Sequence, residues 1–109
     1  MERRDFIICT LIRAGFRSSL KGFNQFCRCV ELYSDDRSST IEEIYARIAC
    51  EYGCTKSSVE KNIRRLFESS DAEGVIGRLF EMDFTESGNK IIIATFANYV
   101  ELQRKYYAS

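Results

Sequence analysis

An all-helical fold of about six helices is the architecture this sequence predicts, and three observations predict it. No proline and only six glycines interrupt 109 residues, so chain breakers are scarce and helices joined by short turns are favoured. Apolar residues recur three and four positions apart along most of the chain, which is the period of a helix with one buried face. At this length, with 45% apolar residues and fourteen Phe and Tyr side chains, residues 1–109 suffice for one compact core and leave no room for a second.

Each element has its own signal. Ile7, Ile8, Leu11 and Ile12 set the first helix, and Gly15 stands where a left-handed cap would end it. Phe23, Phe26, Val30 and Tyr33 share one face of a second helix, with Asp35, Asp36 and Ser38 marking the exit loop. The third carries an unbroken stripe of Ile41, Ile44, Tyr45, Ile48, Ala49 and Tyr52. Thr40 and Glu43 are spaced as a capping box at its start, and Gly53 sits at its end. Val59, Ile63, Leu66 and Phe67 form the buried stripe of a fourth helix, capped either by Thr55 or by Ser57, the latter with Glu60 as a second capping box. Val75, Ile76, Leu79 and Phe80 suggest a short fifth helix, followed by a polar loop from Thr85 to Gly88. Ile92, Phe96, Tyr99, Leu102 and Tyr106 stripe the last helix, although Ile91 to Ile93 alone would also fit a short strand.

Several function classes are disfavoured by composition. With no histidine the chain lacks the commonest general base and metal ligand, and it has no glycine-rich phosphate loop, so an enzyme is not expected. The acidic pairs Asp35-Asp36 and Glu42-Glu43 fall where helix ends and first turns place carboxylates. Five cysteines are an odd number for a disulfide framework. Cys27 and Cys29 lie two apart inside a helical pattern and should point to different faces, unlike the knuckle of a structural zinc site; with Cys50 and Cys54 they are expected to be small buried or surface thiols. No metal and no cofactor is expected. The start MERRDF has no apolar stretch of the secretion-signal kind, and no apolar run reaches the ~18 residues a membrane span needs. A cytoplasmic protein without membrane contact is therefore expected.

Formal net charge is zero, yet the charge is blocky: residues 1–30 carry +4, 31–55 carry −4, 56–65 carry +3 and 66–109 carry −3. Phosphate contact needs a local positive face rather than a positive total. The third and fourth helices, joined by a short glycine-containing turn over roughly residues 41–68, have the signature of a helix-turn-helix, a signature shared by other helical hairpins. Opposite the buried stripe of the fourth helix, a turn of about 100° per residue places Ser57, Ser58, Lys61, Arg64 and Arg65. Lys and Arg bond phosphates or guanine edges and Ser hydroxyls bond either, so this surface has the inventory for major-groove readout. Glu60 lies at its flank, placed either to accept from cytosine N4 or to complete the Ser57 cap.

The order and spacing of Leu11-Ile12 before Gly15, Lys21-Gly22-Phe23, Ile44-Tyr45, Ile48-Ala49, the run from Thr55 through Ser57-Ser58-Val59-Glu60-Lys61-Asn62-Ile63-Arg64, and Gly88-Asn89-Lys90 cover nearly the whole chain. In these the sequence resembles the C-terminal DNA-binding domain of the stage-zero sporulation response regulator family. The resemblance implies about six helices, a recognition helix in the major groove of a promoter element, and binding in tandem or dimeric copies. Carried over position by position, it implies base reading by Ser58, Glu60, Lys61 and Arg64, and phosphate contacts from Thr55, Lys56, Ser57, Arg65 and Lys21. The family usually has Arg where this chain has Ser58 and Lys61, which implies a different target, because only Arg offers a fixed bidentate fork. Arg17-Ser18-Ser19 and Ile91-Ile92-Ile93 stand where the family has proline-containing stretches. Only Met1 to Arg4 precede the first helix, so the phosphoacceptor receiver domain of the family is expected to be missing. That leaves either an excised domain or a free-standing relative that binds constitutively or opposes its full-length cousin.

The expected function is thus a sequence-specific, double-stranded DNA-binding transcriptional regulator. The alternative is a protein-interaction module of the same fold, bound to RNA polymerase or to a full-length homologous regulator, that has lost specific DNA binding.

Overall fold

The fold is taken from a computed structural model in which residues 2–69 and 89–108 are described. Among them are five helices, α1 (Arg3–Arg13), α2 (Lys21–Asp35), α3 (Ile41–Tyr52), α4 (Lys56–Ser69) and α5 (Asn89–Ala108), and no strand. The all-helical expectation holds. The short helix expected around Val75 to Phe80 and the loop from Thr85 to Gly88 lie outside the described residues.

Local chemistry accounts for where these helices stop. Gly15 takes a left-handed conformation (φ 91°) just past α1. Its N–H donates to the Ile12 carbonyl at 3.0 Å and the Phe16 N–H to the Leu11 carbonyl at 3.1 Å, the paired closure that satisfies orphan carbonyls. This reversal turns Phe16 into the core, where it is 4% exposed. At the end of α2 the Asp36 carboxylate accepts from the Ser38 N–H at 3.0 Å and from the Ser38 hydroxyl, so the exit loop supplies its own turn.

α2 is the central helix and packs against each of the other four. Rings from four separate segments meet around it. Phe26 is completely buried and meets Phe67 of α4 at 5.2 Å and Phe96 of α5 at 5.3 Å, both edge to face, while Phe16 lies 6.1 Å from it. Cys27 and Cys29, expected on different faces as small buried or surface thiols, are both wholly buried, because α2 has neighbours on nearly every side. Loss of water pushes the Cys27 thiol up to about 12 and raises that of Cys29 as well, which holds both in the neutral, unreactive form.

The last helix forms as expected: Ile91 to Ile93 belong to α5, which begins at Asn89, and the alternative of a short strand there is not taken. The buried face runs through Ile92, Ile93, Phe96, Ala97 and Val100, whereas Leu102 and Tyr106, assigned to the stripe, are 65% and 75% exposed. Periodicity carried the stripe past the point where α1 and α2 still offer a surface to cover it.

Gly22 sets the approach of α2 to α4. A Cβ there would collide with the backbone carbonyl of Asn62, so only glycine permits this crossing. Beside it, the Asn62 side-chain amide donates to Oε1 of the buried Gln25 at 3.2 Å, a polar bond within the α2–α4 interface.

Candidate nucleic-acid interface

The site is built on α3, the turn that follows it, and α4. α3 begins as its sequence requires: the Glu43 N–H donates to Thr40 Oγ1 at 3.1 Å, and the Glu43 carboxylate accepts from the Thr40 N–H, completing the capping box. It ends at Gly53 in left-handed conformation (φ 65°), with the Cys54 N–H bound to the Ala49 carbonyl at 2.9 Å. Three residues after Gly53, α4 starts at Lys56. Thr55 is its cap, since the Ser58 N–H donates to Thr55 Oγ1 at 3.1 Å, and the Thr55 hydroxyl in turn donates to Ser58 Oγ at 3.2 Å.

The alternative cap, Ser57 with Glu60, is not formed. The Glu60 carboxylate instead accepts from the Arg64 guanidinium at 2.8 Å, one turn along the exposed face. Thr55→Ala is accordingly expected to lower stability by about 1 kcal/mol and Ser57→Ala by a few tenths at most. Urea denaturation of the two variants side by side distinguishes the caps.

The inner face of α4 holds Val59, Ile63 and Leu66, all completely buried, and the partly buried Phe67. Its outer face carries Lys56, Ser57, Glu60, Lys61, Arg64 and Arg65, all exposed, with Ser58 half-buried beneath the cap. Lys21 is exposed at the first residue of α2. Contact between Gly22 and Asn62 brings that helix end alongside the middle of α4, next to Lys61 in sequence. The structure therefore gathers the expected site residues onto α4, its preceding turn and the adjoining start of α2. It also engages the Thr55 and Ser58 hydroxyls with one another and pairs Glu60 with Arg64.

Tertiary ion pairs sort the charge. Half of the basic first block meets the acidic second block across helices: Arg3 pairs with Asp35 at 2.8 Å, Arg4 with Glu31, and Arg28 with Glu51 through two parallel 2.9 Å bonds. This fork from Arg28 holds the Glu51 carboxyl below the ordinary carboxylate range and raises the Arg28 guanidinium. A depressed carboxyl stabilises the fold at neutral pH, and that contribution fades as pH falls through its lowered value. By contrast Lys21, Lys56, Lys61 and Arg65 have no carboxylate within ion-pair distance among the described residues. Arg13 and Arg17 are likewise exposed without an ion pair among the described residues, so unpaired cations lie on α4, at the start of α2 and around the α1–α2 turn.

A cleft of about 450 Å³ borders the start of α4, lined by Ile41, Glu42, Tyr45, Lys56, Ser57, Glu60 and Asn89. Tyr45 and Asn89 brace it: the Asn89 amide donates to the Tyr45 hydroxyl at 3.0 Å, and burial pushes that phenol up to about 12. Asn89 had no sequence signal for this role, because a contact spanning forty-four residues leaves no local pattern.

Two capped helices across a glycine turn, with a buried inner face and a mainly basic outer one, define a helix-turn-helix protein. Residues 7–102 match the family described as sporulation initiation factor Spo0A C terminal, and the chain belongs to that family. The family is that of the DNA-binding domain of a sporulation regulator. No curated protein matches the chain. Among the described residues, no helix is long and apolar enough to cross a membrane.

Proposed function

We propose that this protein is a sequence-specific duplex-DNA-binding transcriptional regulator of the cytoplasm that inserts α4 into the major groove. The observation that carries the reading is the outer face of α4, where Lys56, Lys61 and Arg65 are exposed and have no carboxylate partner among the described residues. Phosphates have the complementary charge, and helix ends with exposed Lys, Ser and Thr side chains supply the donors that hold register on a duplex. Lys61 and Arg64 are the principal base readers, being long, exposed and one turn apart; Glu60 reaches the same edge through its pair with Arg64. Ser58, whose hydroxyl is held in the cap, reads a base only from close range. Lys21, Thr55, Lys56, Ser57 and Arg65 position the backbone. A promoter element is the natural target, bound in tandem or dimeric copies, with RNA polymerase or a full-length homologous regulator as the protein partner.

Selection of bound sequences from a random duplex library at two salt concentrations tests this, followed by titration of the enriched site against scrambled DNA. Enrichment of one short motif supports the regulator. Binding that ignores sequence, or none, moves the assignment to a protein-interaction module, in line with the zero formal charge. A companion variant separates positioning from reading. Arg65→Ala is expected to weaken every duplex alike and to reduce the slope of log affinity against log salt by about 0.9, as loss of one phosphate contact requires. A change in sequence preference would instead make Arg65 a reader.

A further inference from the structure

Cys50, in the last turn of α3, and Cys54, just past Gly53, flank the end of that helix, and both are exposed. The other thiol pair, Cys27 and Cys29, is sealed in the core. Two backbone bonds fold the chain back at the turn, from the Gly53 N–H to the Cys50 carbonyl at 3.4 Å and from the Cys54 N–H to the Ala49 carbonyl at 2.9 Å. Through the second bond the Cα atoms of Cys50 and Cys54 are kept within about 7 Å of each other, the outer reach of a disulfide. The residue after Cys54 is Thr55, the cap of α4.

We propose that Cys50 and Cys54 form an oxidisable dithiol, a modification site whose disulfide weakens binding by α4. The oxidant is a hydroperoxide. One thiolate attacks hydrogen peroxide, cleaving the O–O bond to give a sulfenic acid and hydroxide, which takes up the thiol proton as water. The second thiol then displaces the sulfenic oxygen, forming the S–S bond and releasing a second water; two thiols are oxidised and one peroxide is reduced. Drawing the two sulfurs to bonding distance rotates the Cys54–Thr55 link. Thr55 Oγ1 is thereby pulled from the Ser58 N–H that it caps, at the end of α4 that meets the DNA. The coupling of oxidation to affinity rests on the proposed DNA-binding function, whereas disulfide formation does not.

The test uses the full chain, reduced or treated with hydrogen peroxide, then alkylated and digested with trypsin. Ile48 to Lys56 is one tryptic peptide that holds both cysteines. It is expected unalkylated and lighter by two hydrogens after peroxide, and the oxidised protein is expected to bind the selected duplex about tenfold more weakly, with recovery in reductant. Cys50→Ser and Cys54→Ser should each keep full affinity in peroxide, and Cys9→Ser should behave as the parent. Recovery of the peptide with two alkylated thiols would falsify the site. A disulfide that leaves affinity unchanged overturns its coupling to α4. If the reduced chain selects no duplex, the DNA-binding reading fails on its own; the peptide mass still decides the disulfide, and a thermal midpoint unchanged on oxidation refutes the loss of the cap.

Discussion

Alanine at both Lys61 and Arg64 is expected to abolish the preference for a selected duplex over a scrambled one while leaving the helical content and melting temperature near those of the parent. Each base contact is worth about 1–3 kcal/mol, so the pair accounts for a tenfold to several-hundredfold preference even if the two effects are only partly additive. Arg64 is paired with Glu60 in the free protein, and its release must be set against that gain. Both partners are about half exposed, and an exposed pair one helical turn apart contributes only about 0.3–0.5 kcal/mol, less than the weakest base contact. The ion pair therefore holds the guanidinium in place without withholding it from DNA. Residual binding by Lys21, Lys56 and Arg65 should persist in the double variant and vanish with salt, as non-specific phosphate contact does. Should titrations show an unchanged ratio of selected to scrambled affinity, α4 is not the reading element.

Phe26→Ala should have the largest effect on the fold, a loss of about 3–5 kcal/mol. Phe26 is completely buried, and its ring meets Phe16, Phe67 and Phe96 from the α1–α2 turn, α4 and α5. Removing it leaves a void that three rigid elements cannot all close, since the Gly22–Asn62 contact already holds the α2 and α4 backbones at their limit. A domain of this size has only about 5–15 kcal/mol in total, so the variant should melt at much lower temperature or unfold outright. Leu102→Ala, at a position 65% exposed, is expected to stay within about 0.5 kcal/mol of the parent. Equal melting temperatures for these two variants would show that the aromatic cluster does not organise the core.

The parts of the site that could be read from sequence are those whose cause lies within a few residues. Thr40 and Glu43 cap α3, and Gly53 ends it in a left-handed turn, because the groups satisfied belong to the same helix. The inward stripe of Val59, Ile63 and Leu66 and the outward face of Lys61, Arg64 and Arg65 likewise follow from helical geometry alone. Where two local outcomes competed, pattern was not enough. Glu60, placed by the sequence either to complete the Ser57 cap or to accept from cytosine, pairs instead with Arg64, and Thr55 is the cap.

Fold class, the position and ends of α3, the two faces of α4 and family membership were thus determined by the sequence itself, through hydrogen bonds and side-chain spacings that close over three or four residues. Tertiary structure alone decided what depends on pairs of distant segments. It buried both Cys27 and Cys29 by surrounding α2, and it left Leu102 and Tyr106 in solvent where the cover of α5 runs out. It joined Tyr45 to Asn89 across forty-four residues. It also paired Arg3, Arg4 and Arg28 with Asp35, Glu31 and Glu51, while Lys56, Lys61 and Arg65 of α4 and Lys21 keep no carboxylate partner among the described residues. Burial and ion pairing are properties of two surfaces in contact, and the period of one helix records only the first of them.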